Sequence, residues 1–173
     1  MLGGRAVFIP RQALHARGRA DHAAAVPEAG TAALVRLENA TELADIYKDA
    51  ARKAGRTPEV VQMRDAWGAR TRAEADAVYG PHVMAAYRYY WEHRLAEFRS
   101  MPADTPFTLE NLAPDRLILG DPETCVREFG RWQTATGAST FLLRLRHAHS
   151  GGPPHEKIMD AIRLFGERVL PYC

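Results

Sequence analysis

The alternation of apolar and polar positions resolves into helices and strands from about residue 41 onward. Thr41 stands where a helix cap belongs, and Leu43, Ile46, Tyr47, Ala50 and Ala54 then share one helical face before Gly55, which suits a left-handed terminus. After Arg56-Thr57-Pro58, residues 60–67 have strand length and composition, with Val61, Met63 and Asp65 on one face. Thr71-Arg72-Ala73-Glu74 spells a capping box, in which hydroxyl and carboxylate each satisfy a free backbone donor, and starts a second helix. Gly80-Pro81 predicts a break there, because proline lacks an amide hydrogen and disfavours helix in the residue before it.

A further helical segment is expected over residues 82–100. Val83, Met84, Tyr87, Tyr90, Trp91, Leu95 and Phe98 form a wide apolar stripe on it, while Arg88, Glu92, Arg94 and Glu97 mostly face away. Core packing is the plainer use of such a stripe; a ligand-pocket wall or an oligomer seam is the sharper one. Pro102, Pro106 and Pro114 mark residues 101–120 as a long connection with a short extended piece at 117–119. Asp121 as cap and Pro122 at the first helical position then open a helix that should close at Gly137. Residues 139–146 form the clearest strand. After a loop over 147–154, a last helix turns Ile158, Ile162, Phe165 and Val169 inward.

Residues 1–40 differ from the rest: alanine-rich, with several arginines, Pro10 and Pro27, and no sustained period. They are set apart as an atypical segment, with a short strand at 6–9 and a helix at 11–25 as its possible elements. The remainder alternates helix and strand as parallel α/β architectures do. Only two clear strands emerge, and parallel strands need neighbours on both sides. Either residues 1–40 and 117–119 add strands, or another copy or another chain completes the sheet.

Composition is ordinary for a globular domain: 173 residues, 46% apolar and 25% charged, which argues against disorder and collagen-like repeats. With 23 Lys+Arg against 21 Asp+Glu, the formal charge of +2 supplies no field for nucleic acid or an anionic membrane, so neither is expected as a partner. The longest early apolar run, Ala6-Val7-Phe8-Ile9, is far shorter than a membrane helix or a signal-peptide core, and a cytoplasmic location is expected. Cys125 and Cys173 support neither a disulfide framework nor a zinc site.

Four stretches carry a resemblance. They are Tyr47-Lys48-Asp49-Ala50-Ala51-Arg52-Lys53-Ala54-Gly55-Arg56, Thr71-Arg72-Ala73-Glu74-Ala75, Leu119-Gly120-Asp121-Pro122-Glu123 and Leu142-Leu143-Arg144-Leu145-Arg146. Over about residues 41–171 the chain resembles the C-terminal part of luciferase-like flavin-dependent monooxygenases. The resemblance implies an α/β, helix-rich, partial TIM-barrel-like (β/α) unit with few parallel strands. Residues 60–67 would be the seventh barrel strand and 139–146 the eighth, and residues 41–173 the C-terminal part of such a domain. A full barrel takes about 250 residues, so the early strands that surround the flavin ring in that family have no counterpart here. Gly30-Thr31-Ala32-Ala33 stands where a glycine-rich phosphate-binding turn is expected, and Gly68 where a branched residue is usual. The cofactor implied is FMN or the deazaflavin F420, and the substrate a small organic molecule.

Barrel ligands sit at the C-terminal ends of strands. That rule singles out Arg64, Asp65 and Trp67 after one strand and Arg146, His147, His149, Gly151 and Gly152 after the other. Of these, Arg64, Arg146, His147, Gly151 and Gly152 are the candidate cofactor contacts, since guanidinium groups and a Gly-Gly backbone can approach a phosphate or carboxylate. The plainer readings are an arginine paired to a neighbouring carboxylate and a turn entering the last helix. His147, His149 and His155 lack further ligands at metal spacing, and Cys125 lacks a histidine placed as its base. No catalytic residue is assigned. Two functions follow: a flavin-dependent oxidoreductase or monooxygenase, or a non-catalytic truncated paralogue or binding subunit. The second would oligomerise through an exposed sheet edge and the aromatic helix.

Overall fold

The computed structural model describes residues 34–93, 95–99, 101, 104–148 and 150–173. The strand and helix expected at 6–9 and 11–25 lie outside these residues, as do Arg94 and His149. In chain order the elements are α1 (Leu37–Lys53), β1 (Val60–Gly68), α2 (Arg72–Glu92), α3 (Ala96–Arg99), α4 (Leu109–Leu112), β2 (Leu117–Gly120), α5 (Pro122–Thr136), β3 (Ala138–Arg144) and α6 (His155–Leu164). A π turn over Phe165–Val169 and a 3-10 turn over Leu170–Tyr172 continue α6.

The sheet is parallel, in the order β2-β1-β3. β3 pairs with β1 from Val60 to Asp65, and β2 pairs with it from Asp65 to Gly68, so Asp65 is the residue at which β1 exchanges one neighbour for the other. Side chains alternate across a strand. Trp67, Leu117 and Leu119 therefore face one way, into a cluster with Tyr79, Val83 and Tyr87 of α2. Ala66 and Ile118 face the other way, against Cys125, Phe129 and Trp132 of α5 and against Phe165 and Val169. Helices cover the sheet on both faces in three layers, the arrangement that parallel strands require. The short piece at 117–119 thus supplies the additional strand.

Local signals explain most of the boundaries. Thr71 accepts from the Glu74 amide at 3.2 Å, while the Glu74 carboxylate turns to Arg70 at 3.8 Å. Asp121 accepts from the Thr124 amide at 2.9 Å, and this bond is the main reason its carboxyl titrates below the usual range. Gly55 and Gly137 end α1 and α5 with φ of 70° and 72°.

Three expectations are corrected. First, α2 runs unbroken through Gly80-Pro81. Pro81 and Ala77 are exposed, so water can satisfy the carbonyl the proline leaves unbonded, and Gly80 has no Cβ to clash with the ring. This helix ends at Glu92 and the chain re-forms a single turn at α3, so residues 82–100 are not one helix. Second, α1 starts at Leu37, and Thr41 bonds back to the Leu37 carbonyl at 2.8 Å instead of capping. Third, its buried positions are Ala40, Ala44 and Ala51, which bring α1 close to α5, while Leu43 and Ile46 are 59% and 60% exposed. Of the apolar stripe, Val83, Tyr87 and Phe98 are core and Trp91 is 42% exposed.

Candidate functional site

β1 carries two adjacent charges into the interior, Arg64 and Asp65, both fully buried. Strand alternation sends them to opposite faces. Arg64 lies on the α5 side, where it donates to the Val35 carbonyl at 2.8 Å and to Gln62 Oε1 at 3.0 Å, and stacks 3.8 Å from the Trp132 ring centroid. Burial lowers its pKa to about 10, which leaves it charged at neutral pH.

Asp65 faces α2 and gathers a polar cluster. Arg144 on β3 donates Nε to Oδ1 at 2.5 Å and Nη2 to Oδ2 at 2.9 Å, a bidentate pair. The Tyr87 hydroxyl donates to Oδ2 at 3.0 Å. Burial opposes the charge on Arg144, but the hydrogen-bonded Asp65 carboxylate outweighs it and raises the guanidinium pKa. Burial first, and Asp65 second, hold the Tyr79 and Tyr87 hydroxyls neutral well above the ordinary tyrosine range. Trp67 stacks on Tyr79 with centroids 5.3 Å apart, and Tyr87 meets Phe98 edge-on at 5.6 Å, so the cluster is walled by aromatic rings.

His147 closes the cluster from the loop after β3. Its Nε2 lies 2.9 Å from the Tyr79 hydroxyl and 4.0 Å from Asp65 Oδ1. The tyrosine has one hydrogen and donates it to the Arg144 carbonyl at 3.0 Å, so His147 donates from Nε2 and its buried Nδ1 carries the lone pair, without a partner among the described residues. Burial, aided by Arg144 and opposed by Asp65, lowers its pKa to about 4. The imidazole is neutral at neutral pH.

The loop is braced from within. Gly151 donates to the His147 carbonyl at 3.0 Å, Gly152 to the Ser150 carbonyl at 2.9 Å, and Arg146 Nε to the Gly151 carbonyl at 2.7 Å. Gly151 and Gly152 have φ of 74° and 105°, and a Cβ on Gly152 would sit 3.2 Å from Arg146 Cα. The loop after β3 brings Arg146, His147, Gly151 and Gly152 together, as expected at the end of a barrel strand. Arg64 does not join them; it is on the other side of the sheet. Tyr79, Tyr87 and Arg144 join the site without any expectation from the barrel rule. The signal available was two opposite charges, Asp65 and Arg144, each inside an apolar strand.

Cys125 is a buried thiol pushed up to about 12 by its burial, inert as a nucleophile. An open groove of about 470 Å³ lined by Pro122, Glu123, Val126, Arg127, Arg168 and Tyr172 borders the start of α5 and involves none of the Asp65 cluster. Among the described residues no helix is long and apolar enough to cross a membrane.

No protein-family model matches the chain, and no curated protein does. Solved structures do. The FMN complex of the oxygenating constituent of 3,6-diketocamphane monooxygenase from Pseudomonas putida, a type II Baeyer-Villiger monooxygenase, matches 79% of this chain and 40% of its own at TM-score 0.56 and 20% identity. The monooxygenase RslO1 from Streptomyces bottropensis matches 81% of this chain and 40% of its own at TM-score 0.57 and 24% identity. Apo-MsnO8 matches 78% of this chain and 42% of its own at TM-score 0.54 and 19% identity. The chain thus spans about two fifths of the length of these proteins. Its parallel, helix-covered sheet has the fold of one part of a luciferase-like TIM-barrel monooxygenase.

Proposed function

We propose that the chain is the C-terminal part of a flavin-dependent oxidoreductase that acts on a small organic molecule, with FMN as its cofactor. The supporting observation is the fold shared with monooxygenases, one of them an FMN complex, together with a cation-bearing loop at the C-terminal end of β3. The loop fits an anionic group in part. Arg146 is exposed and uses only Nε within the loop, which leaves its Nη groups for a phosphate, whereas the Gly151 and Gly152 amides are already bonded inside the loop. When bound, the flavin supplies the redox chemistry. Arg146 orients its anionic end, and the buried Asp65–Arg144–His147 cluster holds the loop. Arg64, on the opposite face, takes no part.

Titration of the purified chain with FMN, followed by flavin absorbance and fluorescence quenching, tests this reading. Saturable binding that Arg146→Met weakens supports it. Absence of binding, alone or after association, refutes it.

A second reading, a non-catalytic subunit that associates through its sheet, draws on the open flank of β3. That strand pairs only with β1 among the described residues, most of it is half-buried, and Val61 on the adjoining strand is 52% exposed.

A further inference from the structure

Arg116 precedes β2 and is 5% exposed, yet it lacks what the other buried arginines near the cluster have. Its one side-chain hydrogen bond among the described residues runs from Nη1 to the Leu112 carbonyl at 3.5 Å, the outer limit for such a bond. Nε is buried without a partner, and the Phe98 ring centroid lies 5.9 Å from the guanidinium carbon. No carboxylate of the described residues stands within ion-pair distance of it. The neighbouring Asp115 is turned away with φ of 61°, and its carboxylate is committed to Arg131 at 2.6 Å and Arg36 at 3.3 Å.

A desolvated guanidinium with its fork unfilled is costly, and a buried charge of this kind is stable when an opposite charge meets it. The chain contains an internal standard for what fills such a fork. Arg144 presents the edge formed by Nε and Nη2 to both oxygens of Asp65. On Arg116 the Nε of the same edge is buried without a partner, and no bond from its Nη2 to a described residue is seen. Asp115, next in the chain, and its partner Arg36 reach solvent, their side chains 31% and 47% exposed.

We infer that Arg116 is the binding residue for a small oxyanion, a carboxylate or phosphate group that docks side-on to Nε and Nη2 as the Asp65 carboxylate docks on Arg144. Leu112 holds the guanidinium by its remaining corner, and Phe98 packs beside it. Neither Arg146 nor the loop after β3 is involved, so the site is independent of the proposed flavin contact.

The test is thermal unfolding of the full chain in sodium phosphate and, separately, sodium acetate, each against sodium chloride at matched ionic strength. The melting temperature is expected to rise saturably with one or both oxyanions, and the more effective anion distinguishes phosphate from carboxylate. Arg116→Met removes the response, and without anion it melts no lower than the parent, because it replaces a desolvated cation by an apolar chain. Arg116→Lys keeps the charge but not the fork and binds roughly tenfold or more weakly. Arg127→Met, an exposed arginine of α5, responds as the parent does. A parent with no oxyanion-specific response overturns the inference. So does an Arg116→Met variant that either keeps the response or melts several degrees lower in chloride alone, which assigns Arg116 a structural role.

Discussion

The Asp65 carboxylate and the Arg144 guanidinium, 79 residues apart in sequence, form a bidentate pair at the residue where β1 leaves one neighbouring strand and takes up the other. The pair lies between the strands and α2, with Tyr87 as a third member. It ties β3, an edge strand of the three, to the centre of the sheet from the side-chain side as well as through the ladder.

Breaking that pair from one end leaves the other charge buried and alone. Asp65→Asn is expected to destabilise the chain by about 3–5 kcal/mol. Arg144→Met in the same background should add much less than its own single effect, because the partner is already gone. Urea unfolding of the two single variants and the double variant measures both numbers. Additive losses would show that the two residues act independently.

His147 makes stability depend on pH. Its pKa falls from 6.5 in the free side chain to about 4 in the fold, so the unfolded chain takes up the proton first on acidification. The contribution is fully present above about pH 6.5, declines as pH falls, and is lost by about pH 4, for a total of about 3 kcal/mol. His147→Gln should flatten the stability profile across that window. An unchanged profile would place the acid sensitivity elsewhere.

The two loop glycines should respond differently to alanine. A methyl group on Gly151 would meet nothing within 4 Å, so Gly151→Ala carries only the cost of its φ of 74°, about 1 kcal/mol. Gly152→Ala adds a contact of 3.2 Å with Arg146 Cα at φ of 105° and should cost clearly more. Thermal melts of the two variants decide it; equal losses would mean that the loop yields around Gly152.

If the half-buried end of the sheet formed by β1 and β3 seats another subunit, association should depend on Val61, which is half-exposed on the α2 face of β1. Light scattering of the parent is expected to give a mass above one chain, and Val61→Lys to lower it without lowering the melting temperature of the monomer. A parent that stays monomeric at high concentration removes the associating-subunit reading.

Much of this was legible in the sequence because it depends on neighbours in the chain. The Thr71 and Asp121 caps, the left-handed glycines at 55 and 137 and the apolar strands expected at 60–67 and 139–146, found at 60–68 and 138–144, follow from local hydrogen bonding and side-chain period. The grouping of Arg146, His147, Gly151 and Gly152 in one loop was legible because they are close in the chain just after a strand. Tertiary packing decided the rest. It let α2 pass through Pro81 because that side of the helix faces water, and it turned the small residues of α1 inward so that α5 could approach. It also sent Arg64 and Asp65 to opposite faces, where one meets Trp132 and the other Arg144. A pattern along the chain sets which way each residue points; what waits there is fixed only when strands distant in sequence come into register.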